Sequence, residues 1–324
     1  MGSKFLKVDG VVQNRKLSRE EKRTRNRCLS ISLPRSEIER FKDRQHGVHS
    51  DDYERLGKEP GLLVIFNQRT FNEEIRHGSN RDVNELILTF GRLGFNVDTE
   101  YIFTDLSKDE LLNTVEKLSR VNFSDRNSLI MVVLSHGTKN DAIYTSDGYI
   151  SANNIWEPFL NSKCSSFQNK PKFFIFQACK GNSFSQADKV NVDVFPESTF
   201  SATLEADMLI AYAAVEGTKS VRNLRTGTWF IQELCRNLNA NGQREDVHSL
   251  LMRTTKCIAN SYYYIDDDNT LIKQMPLFVS TLTKRFYLTL GKQRQLFLRT
   301  IKNQEEIIKE IKDIRILTHN RKKK

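Results

Sequence analysis

The 324-residue sequence has no apolar run long enough to cross a bilayer. Its longest apolar stretches, LLVIF at 62–66 and LIMVVL at 129–134, fall far short of the roughly 20 residues that a span requires. The polar start MGSKFLKVDG has no apolar region of the kind a secretory signal needs, and Leu6 stands where a myristoylation sequence at Gly2 would carry Ser or Thr. A cytosolic location is expected, with the nucleus as the alternative and no membrane contact. Cysteine is also scarce. Cys28, Cys164, Cys179, Cys235 and Cys257 are odd in number, scattered and without C-x-x-C spacing, which argues against both a disulfide framework and a zinc site. No metal or other cofactor is expected.

What is present is an ordinary globular composition, 38% hydrophobic, with a net charge of +10. The basicity belongs to the ends: residues 1–50 and 288–324 each carry +7, leaving −4 for the segment between them. Basic ends without interleaved aromatic residues read as solvated tails, so a nucleic-acid partner is not expected.

Residues 1–51 read as a flexible basic leader, polar and without apolar periodicity. The pattern then changes. LLVIF (62–66), LIMVVL (129–134), FFIFQA (173–178) and DMLIAYAAV (207–215) read as buried strands, with a last strand around 277–283. Between them, Val83, Leu86, Ile87, Phe90 and Leu93 share one helical face, as do Leu111, Leu112, Val115 and Leu118 after a Ser107/Glu110 capping box. Two further helices are expected near 228–240 and 245–260. Strands alternating with helices predict an α/β layer structure around a largely parallel sheet. The Ser-, Asn- and Asp-rich stretch 182–204 is long for a connection inside a compact domain and reads as a functional or cleavable loop. Residues 288–324 form a basic extension, predicted helical from Ile307, Ile308, Ile311 and Ile314.

Two of these strands end in reactive residues. LIMVVL runs into Ser135, His136 and Gly137, and FFIFQA into Cys179, Lys180 and Gly181. Ligands of open α/β sheets bind at the carboxyl edge. There an imidazole can deprotonate a thiol and later protonate a leaving amine, and the N–H groups of Gly137 and Cys179 can hold an oxyanion.

QACKG, with SHG upstream, resembles the nucleophile and histidine motifs of the caspases. IRHGSNRDV (75–83), AYAAVEGTKSVRNLRTGTWFIQELC (211–235) and VSTLTKRFY (279–287) resemble further family stretches in the family's order. The resemblance implies a three-layer α/β/α sandwich with a central, mostly parallel sheet, and an endopeptidase that cuts after aspartate in programmed cell death. It makes Cys179 the nucleophile, His136 its acid/base and Gly137 an oxyanion donor, with the carbonyl of Glu74 orienting the histidine. Arg76, Gln177 and Arg222 would grip the aspartate side chain before the scissile bond, with Ser220 beside them and Trp229 shaping a remoter pocket bordered by the loop at 262–271. Two guanidinium groups sharing a pocket repel each other, and a carboxylate satisfies both.

The chain departs from the family pattern at Lys180, which replaces the Arg or Gln usual after the cysteine and is expected to matter little. Lys219 and Val221 stand where aromatic residues are usual, which predicts a roomier second pocket. The resemblance further implies a zymogen cut after Asp51 or Asp52 and after Asp193 in preference to Asp188. These cuts would yield a leader, a large-subunit region 52–193 and a small-subunit region 194–287, whose pairs form a homodimer. Its partners would be substrates with aspartate before the cut, an upstream activating protease and inhibitor proteins. The leader, too short and polar for a helical recruitment module, suggests an effector-like enzyme. Two other readings stand beside this one: a catalytically silent homologue that regulates active caspases, and a metacaspase-like protease cutting after Arg or Lys. The latter would need acidic residues where Arg76 and Arg222 stand.

Overall fold

A computed structural model describes residues 51–289, apart from 72–73, 182–184, 187–204 and 266–268. Asp188 and Asp193, the leader up to residue 50 and the extension from residue 290 lie outside the described residues.

The described residues hold fifteen strands, numbered in chain order, and six of them build the main sheet: β1 (Leu62–Asn67), β4 (Ile102–Thr104), β5 (Leu129–Leu134), β8 (Lys172–Gln177), β10 (Met208–Tyr212) and β15 (Leu277–Ser280), in the order β15-β10-β8-β5-β1-β4. All neighbours pair in parallel except β10 and β15, so the sheet is mixed at one edge. Every residue of β1, β5, β8 and β10 is buried, which explains why these strands read as continuous apolar runs and not as alternations. β4, three residues long and not fully buried, gave no comparable signal.

Alternate residues of these strands feed two separate cores. Ile65, Val132, Ile175 and Ala211 pack against helices α1 (Ser79–Arg92), α4 (Trp229–Asn241) and α5 (Val247–Ser261), whose inward residues include Leu86, Phe90, Leu234 and Leu251. Val64, Val133, Phe174 and Ile210 face the other way, onto α2 (Lys108–Arg120), the short α3 (Asn153–Trp156) and the turns carrying Phe159 and Phe167. The result is the expected three-layer sandwich. α2 begins at the anticipated capping box, with Ser107 Oγ accepting from Glu110 N–H and the Glu110 carboxylate accepting from Ser107 N–H at 2.9 Å. Among the described residues no helix is long and apolar enough to cross a membrane.

The register across the sheet positions the site. Leu134 of β5 pairs with Gln177 of β8, and Ser135 N–H continues the ladder onto Gln177 O at 3.1 Å. His136 and Cys179 therefore lie two residues beyond matched positions on adjacent strands. They leave the sheet side by side at its carboxyl edge.

Candidate active site

Cys179, His136, Arg76, Gln177, Ser220, Arg222 and Trp229 all line one open cleft of about 460 Å³, together with Lys219, Val221 and Tyr264. The sequence separates these residues by up to 188 positions, from Arg76 to Tyr264, and the strand ends and the 219–222 segment bring most of them together.

Cys179 is part-exposed although the strand before it is buried. Its Sγ accepts from the Ser220 N–H at 3.4 Å and lies 3.7 Å from Ser220 Oγ. The thiol is thus held against the 219–222 segment and presented to the cleft. The His136 ring meets Phe71 edge-on at 4.8 Å. Phe71 closes a small hairpin between β2 (Thr70–Phe71) and β3 (Glu74–Ile75), in which Glu74 pairs with Phe71. The hairpin brings the Glu74 backbone into the neighbourhood of the histidine.

Gly137 lies against the backbone of Cys179. A Cβ at this position would sit 2.4 Å from Cys179 O and 2.9 Å from Ala178 Cβ, so the close approach of the two chain segments requires glycine. Gly137 also bridges to Ile143, which anchors the turn after the histidine to the hairpin of β6 (Ala142–Tyr144) and β7 (Tyr149–Ser151).

Arg76 is 3% exposed, and its Nε and Nη1 have no hydrogen-bond partner. Burial, reinforced by the charge of Arg222, pulls the guanidinium down to about 10. Gln177 is buried with it, donating from Nε2 to Ser220 Oγ at 3.1 Å while its Oε1 has no partner. Arg222 begins strand β11 (Arg222–Asn223), which pairs with β12 (Gly227–Thr228). This end of the cleft holds positive charge and unused hydrogen-bonding capacity, the arrangement that a carboxylate satisfies.

Trp229 stacks obliquely on Tyr262 at 5.4 Å and meets Tyr264 edge-on at 6.3 Å, so the segment after α5 packs on Trp229 and brings Tyr264 to the cleft. The acidic residues 266–268 lie outside the described residues. Asp51 is not part of the cleft. Its carbonyl accepts from Arg285 N–H at 2.7 Å, while the Asp52 carboxylate accepts from Arg285 Nε at 2.8 Å.

Sequence reasoning missed three supports. Gln274 Oε1 accepts from the Val221 N–H at 2.7 Å, and its Nε2 donates to Ala213 O at 2.8 Å, which holds the 219–222 segment in place. Asp82, fully buried on α1, accepts from Thr228 N–H at 2.9 Å and from Gln232 at 2.8 Å; burial pushes its carboxyl up, and these bonds oppose the shift. Gln274 stands in no quoted stretch, and Asp82, although it lies within IRHGSNRDV, carries no signal of these bonds. The third is Lys180, of which the sequence shows the charge and not the burial. It is 3% exposed, with Nζ 2.5 Å from Asp141 Oδ1 and 3.8 Å above the centre of the Tyr212 ring.

Comparison with known proteins agrees with this geometry. A caspase domain model matches residues 60–287. The chain is 31% identical over 251 residues to caspase-7 of Gallus gallus, spanning 73% of this chain and 78% of the relative. It is 32% identical over 247 residues to caspase drICE of Drosophila melanogaster, spanning 73% and 72%. The crystal structure of caspase-1 from Spodoptera frugiperda superposes with a TM-score of 0.67 at 28% identity, covering 75% of this chain and 95% of that one. Sheet order, cleft and family match converge, and the chain belongs to the caspase family of cysteine peptidases.

Proposed function

We propose that the chain is a catalytically active endopeptidase cutting proteins after aspartate. The observation that carries this reading is Arg76, a buried guanidinium with unpartnered nitrogens in the same cleft as Cys179 and His136. Asp82 acts on this guanidinium only at longer range, and a buried cation that no carboxylate contacts is costly; a substrate aspartate carboxylate removes that cost on binding. An asparagine or glutamine in its place leaves the charge uncompensated, and such mismatches discriminate by roughly 10⁴-fold.

In the reaction, His136 takes the Cys179 proton and the thiolate attacks the scissile carbonyl carbon. The oxygen of the tetrahedral intermediate accepts hydrogen bonds from the N–H groups of Gly137 and Cys179. The C–N bond then breaks as His136 protonates the departing amine. Water, deprotonated by His136, hydrolyses the thioester and returns the thiol. The backbone carbonyl of Glu74 orients the imidazole.

The remaining assignments belong to the same proposal. Cuts after Asp193 and Asp51 divide a zymogen into a leader, a large-subunit region 52–193, a small-subunit region 194–287 and the extension from 288. Two large/small pairs form the working dimer, an effector-like enzyme of programmed cell death in the cytoplasm. Because Asp51 is hydrogen-bonded to Arg285, cutting after it requires the segment to peel away first. The test is hydrolysis of matched tetrapeptide reporters ending in Asp, Glu, Asn or Arg by the linker-cleaved protein and its Cys179→Ala variant. Cleavage after Asp that vanishes in the variant is expected. A folded, processed protein that cuts none of them would instead be a silent regulator.

A further inference from the structure

Lys180 sits in a buried group of charges that joins three chain segments. Its Nζ lies 2.5 Å from Asp141 Oδ1 and 3.4 Å from Glu216 Oε2, and these side chains are only 4%, 6% and 7% exposed. The ammonium also lies 3.8 Å above the Tyr212 ring, a favourable place for a desolvated cation. The second Glu216 oxygen accepts from Asn140 N–H at 3.1 Å.

Each member belongs to a segment that carries a different part of the reaction. Asp141 and Asn140 follow His136 and Gly137 in the turn that returns through β6. Lys180 is bonded covalently to Cys179. Glu216 precedes the 219–222 segment that holds Sγ and lines the cleft. Backbone hydrogen bonds run alongside: Lys180 N–H to Thr218 O at 2.9 Å, and Gly217 N–H to Lys180 O at 2.8 Å. Gly181 packs so closely on Gly217 that a Cβ there would lie 2.2 Å from the Gly217 carbonyl carbon.

We infer that Lys180 is a positioning residue for catalysis, an ionic tie that fixes the Gly137 and Cys179 amides and the 219–222 segment relative to one another. The inference rests on the peptidase reading above and extends it. The tie acts through distance, because the oxyanion forms only if two N–H groups on separate segments converge on one point, and misplacement by about 1 Å can cost on the order of 100-fold. Arg76 lies outside the tied segments, and Gln274, Asp82 and the β11–β12 pairing hold the 219–222 segment independently, so the effect falls on the chemical step more than on substrate affinity. Arginine, which keeps the charge and stacks on an aromatic face, substitutes well; methionine, which keeps the length and loses the charge, does not.

The test uses the linker-cleaved full chain, with active sites counted by an irreversible peptidyl-aspartyl fluoromethyl ketone and kinetics measured on an Asp-ending reporter. Per titrated site, Lys180→Met is expected to lower kcat at least about tenfold with KM within about threefold, and Lys180→Arg to keep both within about threefold. Glu216→Gln, which keeps the Lys180–Asp141 pair and so the fold, is expected to lower kcat per site about threefold or more at an unchanged titre. A Lys180→Met protein with fewer titratable sites but unchanged kcat at each of them would overturn the inference and leave Lys180 a folding role only. If Lys180→Met does not fold, an unchanged kcat in Glu216→Gln overturns it equally. Wild-type protein that neither reacts with the ketone nor cuts the reporter would overturn the peptidase reading itself, and the inference with it.

Discussion

Arg76 and Lys180 are both cations buried to 3% exposure beside the same cysteine, and their surroundings are opposite. Lys180 has two carboxylates and an aromatic face. Arg76 has unpartnered nitrogens, a second guanidinium and the Asp82 carboxylate only at longer range, and burial lowers its affinity for its own proton. A buried charge that is paired serves the fold. One that is left unpaired weakens the free protein and has to be satisfied by something that arrives.

The sharpest way to break it is Arg76→Met. Cleavage after Asp should fall by roughly 10⁴-fold, because the carboxylate loses its buried partner, while the unliganded protein should melt no lower than wild type. A clear drop in melting midpoint would mean that Arg76 is paired in the free protein. Lys180→Met tests the other side. It strands two carboxylates, so thermal unfolding should register a loss of about 3–5 kcal/mol, although the methionine fills similar space. Gly137→Ala probes the amide contact between the two segments. With a Cβ 2.4 Å from Cys179 O, the segments must part, and kcat should fall on the order of 100-fold with the proposed aspartate preference intact.

A third buried cation sharpens the contrast at smaller scale. Lys172 opens β8 with no exposure, and its Nζ donates to neutral oxygens: Asn161 Oδ1 at 2.8 Å, Lys170 O at 2.8 Å and Phe167 O at 3.1 Å. Burial lowers it to about 8 from 10.5. Between these values the unfolded chain binds the extra proton, so stability should rise with pH through this window. The gain should be on the order of 1 kcal/mol between pH 8 and 9, and absent in Lys172→Met. Denaturant unfolding at several pH values measures it.

The sheet was legible because strands buried on both faces leave unbroken apolar runs, and the helices because Val83 to Phe90 and Leu111 to Leu118 repeat at helical spacing. His136 and Cys179 were legible because each directly follows such a run. What the sequence could not disclose depends on register and on side chains meeting across loops. Asp141 and Glu216 are two acids in turn-like stretches until the fold sets them on one ammonium. Gln274 is one more polar residue until it reaches Val221. Lys180 looked like a conservative exchange because the sequence reports its charge and not its burial. Lys172 was left just outside the expected strand for the same reason.

The most direct measurement is the inhibition constant of two peptide aldehydes that differ only in ending with Asp or Asn, against wild type and Arg76→Met. The unpartnered guanidinium predicts that wild type favours the Asp aldehyde by about 10³-fold or more, and that the preference collapses in the variant. Equal binding of the two aldehydes by wild type, or a preference that survives the loss of Arg76, would contradict it.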